Sequence, residues 1–234
     1  SDAGMVGGGS RPVPGEISLA HHGVLFLDEL PEFKKNVLEV LRQPLEDGQV
    51  SISRAGIKAI YPCVFMLVAA MNPCPCGNFG NPLQECSCAK PVIQRYRSKI
   101  SGPLLDRIDI QIEVPQVSYD EMAGDRPGES SAVIRARVDQ ARAIQNRRFN
   151  GQEILCNARM GPGHLKKACA LEKDAQSVLR QAMDRLGFSA RTLNSILKVA
   201  RTIADLACEK KIGRHHILEA IQYKSYGRSD ASAF

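Results

Sequence analysis

A short apolar run, Val24-Leu25-Phe26-Leu27, ends in two adjacent carboxylates, Asp28 and Glu29. Two acids held at the carboxyl end of a buried strand suit phosphoryl transfer to water. The first can help to hold Mg²⁺, usually through water. The second can orient and deprotonate the attacking water. Alone, the pattern also describes a strand running into an acidic turn. A second apolar run, 63–71, ends at Asn72, which would set a polar amide beside the acids, although Asn before Pro is also a common turn signal. Arg107 precedes a third apolar stretch. An arginine there can reach a neighbouring subunit's terminal phosphate and stabilise developing charge, or it can be an ordinary salt-bridged surface residue. Arg191 opens a helix late in the chain and is placed to meet phosphate from that side.

A second chemistry is carried by sulfur. Cys74 and Cys76, then Cys86 and Cys88, form two C-x-C pairs nine residues apart in a Gly/Pro-rich loop. Four thiolates can close a tetrahedral Zn²⁺ site, though C-x-C is a less usual knuckle than C-x-x-C, and four reduced thiols or an oxidised pair are the alternatives. Cys63, Cys156, Cys169 and Cys208 read as isolated thiols. His21-His22 and His215-His216 have no partner at metal-ligand spacing and read as packing or surface residues.

The elements that must position these residues follow from hydrophobic periodicity. Continuous apolar runs predict strands at 24–27 and 63–71, with a third at 108–114. Alternation on both sides of Arg54-Ala55-Gly56 predicts a hairpin over 50–61. Helical spacing predicts helices over 34–45, where Pro44 disturbs the last turn, and over 91–100. Beyond a polar stretch with Gly124, Pro127 and Gly128, the period is helical at 132–149, 173–186, 189–208 and 215–226, with Ser189 as an N-cap. The reading is therefore an α/β unit over 1–118, a linker over 119–131 and an all-helical unit over 132–234.

Composition bounds the rest. The chain has 234 residues, 44% of them hydrophobic and 5% aromatic, with no Trp. That suits a globular core and disfavours base-stacking platforms. No apolar run approaches the roughly 18 residues of a membrane helix. The net charge of +6 is uneven: residues 1–133 hold 12 basic and 16 acidic residues, whereas 134–234 hold 19 basic and 9 acidic. The basic half suits an anionic partner or a solvated helical surface. Eight Cys without a signal segment fit reduced thiols and a cytoplasmic location better than a disulfide framework.

Four segments, 15–33, 70–77, 96–109 and 189–206, occur together and in order. They resemble the AAA+ ATPases, specifically the magnesium-chelatase-like branch and its ComM/YifB family. The resemblance implies a partial AAA+ parallel-sheet core with a helical lid. It implies that Asp28 and Glu29 are the Walker B pair, Asn72 sensor 1, Arg107 the arginine finger (with Arg95 and Arg97 as rivals) and Arg191 sensor 2. ATP and Mg²⁺ are the implied cofactors, and a hexamer acting on DNA in natural transformation is the implied assembly. Arg54 and Lys58 in the hairpin then face DNA in the pore, and residues 4–15 resemble a second pore insertion. One departure is large: a P-loop needs G-x-x-x-x-G-K-[ST], and this sequence contains no Gly-Lys pair. The expectation is a C-terminal part of a longer ATPase that does not hydrolyse ATP alone. The rival readings are an ATPase subunit for Mg²⁺ insertion into porphyrin and a non-catalytic zinc-stabilised interaction module.

Overall fold

Strand β3 (Val24–Leu27) pairs in parallel with β6 (Met66–Ala69), in register from Val24 opposite Met66 to Leu27 opposite Ala69. Period-2 alternation sends Leu25 and Leu27 into a core with Ile17, Leu38, Leu41 and Leu104. The same alternation leaves Val24 and Phe26 more than half exposed, beside Met66 and Val68 on the same face. The run expected to be buried throughout is thus buried on one face only. No element among the described residues covers the other, although parallel sheets are ordinarily covered on both. The computed structural model describes residues 2–8, 12–54, 57–115, 117 and 128–229. They belong to two compact units, Ser1–Ile108 and Asp109–Phe234.

Around this strand pair the first unit carries short elements. Helix α1 (Asp2–Val6) leads to a two-residue antiparallel pair, β1 (Gly7–Gly8) with β2 (Val13–Pro14), so the described residues among the first 16 are more structured than their Gly/Pro content suggests. Gly7 has φ 101°, and a Cβ there would lie 2.1 Å from the Val13 carbonyl oxygen, so only glycine fits. Helix α2 (Glu16–Leu19) follows and buries Ile17. The helix expected over 34–45 is two helices, α3 (Lys35–Glu39) and α4 (Arg42–Asp47). The break falls four residues before Pro44, whose ring removes the N–H that would bond Val40 and crowds that carbonyl. Strands β4 (Gln49–Arg54) and β5 (Ile57–Pro62) form the expected hairpin, with Val50 and Ile52 turned into the core.

After β6 the chain runs without a regular element to α5 (Lys90–Arg97), which is followed by α6 (Gly102–Leu105). The strand expected at 108–114 is not formed. Ile110, Ile112 and Val114 alternate as a strand would but are 53, 64 and 78% exposed. A strand is stable only when its backbone groups are paired, and among the described residues no neighbouring strand pairs with these.

The second unit is helical: α7 (Ser131–Arg148), α8 (Pro162–Ala168), α9 (Lys173–Leu186), α10 (Ala190–Leu206) and α11 (Arg214–Ser229). Ser130 and Ser189 cap α7 and α10 by accepting the N–H of Val133 and Thr192. Gly187 in the left-handed region ends α9. Phe149, Leu179, Phe188, Ile196 and Ile217 anchor its core. Helix α8 was not apparent from periodicity. The linker expected at 119–131 lies outside the described residues, apart from 128–131. No helix of the described residues is long and apolar enough to cross a membrane.

Candidate functional site at the carboxyl edge of the parallel strands

Asp28 and Glu29 leave the carboxyl end of β3, and Asn72 leaves the same end of β6. The two strand ends are held together past the last ladder pair, because Ala70 donates to Leu27 at 2.9 Å and Leu30 donates to Ala70 at 2.9 Å. The carboxyl edge of a parallel sheet is where open α/β folds bind ligands. Both carboxylates and the amide are exposed there. The Glu29 backbone N–H donates to Asp28 Oδ1 at 2.8 Å, which fixes the first carboxylate. Glu29 itself is left-handed, with φ 49° and ψ 46°. A non-glycine residue in that region is strained by about 1–3 kcal/mol, and such strain collects at functional sites.

Tyr96 was not apparent from sequence reasoning. It reads as one more apolar position of α5, and only the fold shows where its polar end goes. Its ring is buried, its hydroxyl accepts the Asn72 backbone N–H, and burial followed by the charges of Glu32 and Glu29 pushes its hydroxyl above the usual tyrosine range. Lys99, three residues further along the chain, pairs with Glu32 at 3.8 Å.

The three arginines proposed for a finger sit differently. Arg107 is not aimed outward: its Nε donates to the Arg42 carbonyl at 3.0 Å, Nη1 to the Pro103 carbonyl at 2.7 Å and Nη2 to Glu46. It also lines a cavity of about 460 Å³ with Glu39, Arg42 and Glu46, which includes neither Asp28 nor Glu29. Arg97 donates to the Pro73 carbonyl at 3.0 Å and lies 4.9 Å over the Phe79 ring. Arg95 is exposed on α5. Arg191 is exposed on the first turn of α10 and belongs to the second unit. Lys58 is exposed on β5, whereas the Arg54 side chain lies outside the described residues, as do residues 9–11 of the expected second insertion.

The structure brings all four cysteines of the loop together. Their sulfurs lie within 4.8 Å of one another. Cys74 to Cys76 is 3.3 Å, and Cys86 lies 3.6 Å from each. Tetrahedral Zn–S bonds of about 2.3 Å place sulfurs about 3.8 Å apart, so the donor set fits a divalent ion with little movement. The thiols share protons unequally. The Asn78 N–H and then the Cys74 thiol hold Cys76 down to about 5. The Cys88 N–H favours the Cys86 thiolate, but burial and the proton-sharing Cys76 and Cys74 push Cys86 up to about 12. A dication would replace this arrangement with four thiolates.

A second close group of donor atoms among the described residues includes one of the histidine pairs. Glu209, His215 and His216 lie close together. His216 Nδ1, however, accepts the Gly213 N–H at 3.0 Å, so the neutral ring carries its proton on Nε2, the atom facing Glu209. His21 Nδ1 likewise accepts the Val64 N–H at 3.0 Å and serves as packing beside β6.

A mixed α/β unit with paired acids and an amide at a parallel carboxyl edge, followed by a helical unit, defines a partial AAA+ fold. The chain belongs to the magnesium chelatase family: the model for "Magnesium chelatase, subunit ChlI" matches residues 1–122, and that for its C-terminal part matches 128–224. Competence protein ComM of Haemophilus influenzae is 46% identical over 226 residues, covering 96% of this chain and 43% of that protein. The uncharacterized protein YifB of Escherichia coli is 44% identical over 225 residues, with 96% and 43% covered. An uncharacterized protein of Mycobacterium tuberculosis is 39% identical over 228 residues, with 97% and 45% covered. The chain spans less than half the length of these relatives.

Proposed function

We propose that this chain is the Walker B, sensor and lid portion of an ATPase that, intact, hydrolyses Mg²⁺–ATP at subunit interfaces of a hexamer in the cytoplasm and uses the energy to remodel DNA, as in branch migration during transformation. The observation that carries the reading is the convergence of Asp28, strained Glu29 and Asn72 at one parallel carboxyl edge. Asp28 would hold Mg²⁺ through water, which supplies charge neutralisation at the phosphates. Glu29 would take the proton of the attacking water, and Asn72 would orient it. Arg191 contacts phosphate as sensor 2. Of the finger candidates, Arg95 suits reaching a neighbouring subunit better than Arg107, whose guanidinium is committed within its own unit. Zinc is the ion that Cys74, Cys76, Cys86 and Cys88 take in this reading. The open apolar face of β3 and β6 supports a further segment packing there in the intact protein.

The name of the Haemophilus relative, competence protein ComM, favours DNA as the client over a porphyrin-metal reaction. The test is unwinding of a Holliday junction by the full-length protein. ATP-dependent unwinding supports the reading, whereas ATP hydrolysis without it, combined with stimulation by porphyrin and its partner subunits, favours the chelatase client. Charge reversal at Arg54 and Lys58 is expected to weaken junction binding at least about tenfold, with a shallower salt dependence, while leaving basal ATP hydrolysis unchanged. Unchanged affinity removes the hairpin from the DNA path.

A further inference from the structure

The loop that carries the four cysteines has little else to hold it. No regular element lies between Ala70 and Ala89, and Leu83 is 79% exposed. Cys74, Ile93 and Tyr96 are buried, yet none belongs to the apolar core of the first unit. The centre of this region is sulfur rather than hydrocarbon. Cys74 is fully buried, and the Phe79 N–H donates to its sulfur at 3.3 Å.

The same loop is tied to the carboxylate edge and to α5 at three points. Cys74 is two residues from Asn72, and the intervening Pro73 fixes the backbone between them. Arg97 grips both ends of the first knuckle, bonding the Pro73 carbonyl and covering the Phe79 ring. Tyr96, its neighbour on α5, receives the Asn72 N–H, and its hydroxyl lies within the electrostatic reach of Glu32 and Glu29.

We propose that a zinc ion on Cys74, Cys76, Cys86 and Cys88 is the clasp that sets Asn72 against the Asp28–Glu29 corner, acting through Pro73 and through Arg97 and Tyr96 of α5. The idea rests on the zinc reading above and adds a consequence for the neighbouring site. Asn72 and Tyr96 are positioning residues here. Metal occupancy determines whether the Asn72 amide keeps its place, so losing zinc loosens the carboxylate corner without touching either acid.

The test uses the purified protein under reducing conditions. Elemental analysis is expected to give one zinc per chain, and Co²⁺ substitution the visible bands of a tetrahedral tetrathiolate ion. Hydrogen exchange then reads the coupling. Chelation, or the double change Cys86→Ser and Cys88→Ser, is expected to speed exchange at residues 70–74, 90–97 and 28–33 by about tenfold or more. The helices at 173–206 should stay protected, and added Zn²⁺ should reverse the effect of chelation. Tyr96→Phe should keep the metal and loosen 70–74 alone. Stoichiometric zinc whose removal leaves exchange at 28–33 and 70–74 unchanged overturns the clasp and leaves the zinc reading standing. Absence of both zinc and the Co²⁺ bands overturns both.

Discussion

Replacing Glu29 by glutamine in the intact protein is expected to lower kcat for ATP hydrolysis by about 10²–10⁴-fold, with nucleotide affinity changed by no more than a few-fold. Glutamine keeps the size of the side chain and cannot take a proton from water. The Asp28 carboxylate is fixed by the Glu29 backbone N–H rather than by its side chain, so the metal-holding acid is left as it was. A loss confined to kcat would mark an interaction made only in the transition state. Steady-state kinetics alongside binding of a fluorescent nucleotide separates the two quantities. Turnover within threefold of the parent would move the base to another residue, with Glu32 and Asp28 the nearest acids in sequence.

The backbone at Glu29 sharpens this test. Its left-handed conformation favours glycine over glutamate. Glu29→Gly should therefore leave the first unit as stable as the parent or raise its stability by up to about 1 kcal/mol, while removing hydrolysis as fully as glutamine does. A residue kept for packing would show the opposite pattern, with stability falling and activity following it. Thermal unfolding of the two variants side by side distinguishes these outcomes.

The parts of this site that were legible in the sequence are those written in consecutive residues. Four apolar positions followed by two acids mark a strand that ends in paired carboxylates, and two C-x-C pairs mark a group of sulfurs before any fold is known. What could not be read depends on residues far apart in the chain. That the Arg107 guanidinium is taken up within its own unit could not be read, because its partners, the Arg42 carbonyl and Glu46, are 65 and 61 positions away. Nothing in the sequence marks Tyr96, because a buried ring conceals where its hydroxyl points. The left-handed turn at Glu29 has no sequence signal at all, since glutamate is not a residue that favours it. The segment 108–114 shows the converse: its alternation is that of a strand, but alternation gives the faces of a strand and supplies no neighbour to pair with.

The helical unit was legible through its periodicity, yet its strongest expected response to mutation comes from a polar cluster that periodicity does not reveal. Asp205 on α10 is fully buried and receives Arg148 through both Nη1 and Nη2, Arg201 Nε at 3.1 Å and the Asn157 side-chain amide at 2.7 Å. Arg201, 1% exposed, spends its remaining nitrogens on the carbonyls of Glu209 and Lys210 just beyond the helix end. One carboxylate thus pairs with two guanidinium groups and joins α7, the 157–159 turn, α10 and the chain that follows it. Asp205→Ala leaves Arg201 as an uncompensated buried charge, which costs about 3–5 kcal/mol. For a unit of this size that corresponds to a fall in Tm on the order of 15 °C or more. Arg148→Ala should cost less, because Arg148 is partly solvated and its loss still leaves Asp205 paired with Arg201. Circular dichroism at the helical band, followed through thermal unfolding, measures both. The order of the two variants is the decisive result: a larger loss for Arg148→Ala than for Asp205→Ala would mean that the cluster is held by the packing of the Arg148 stem and not by the buried charge at its centre.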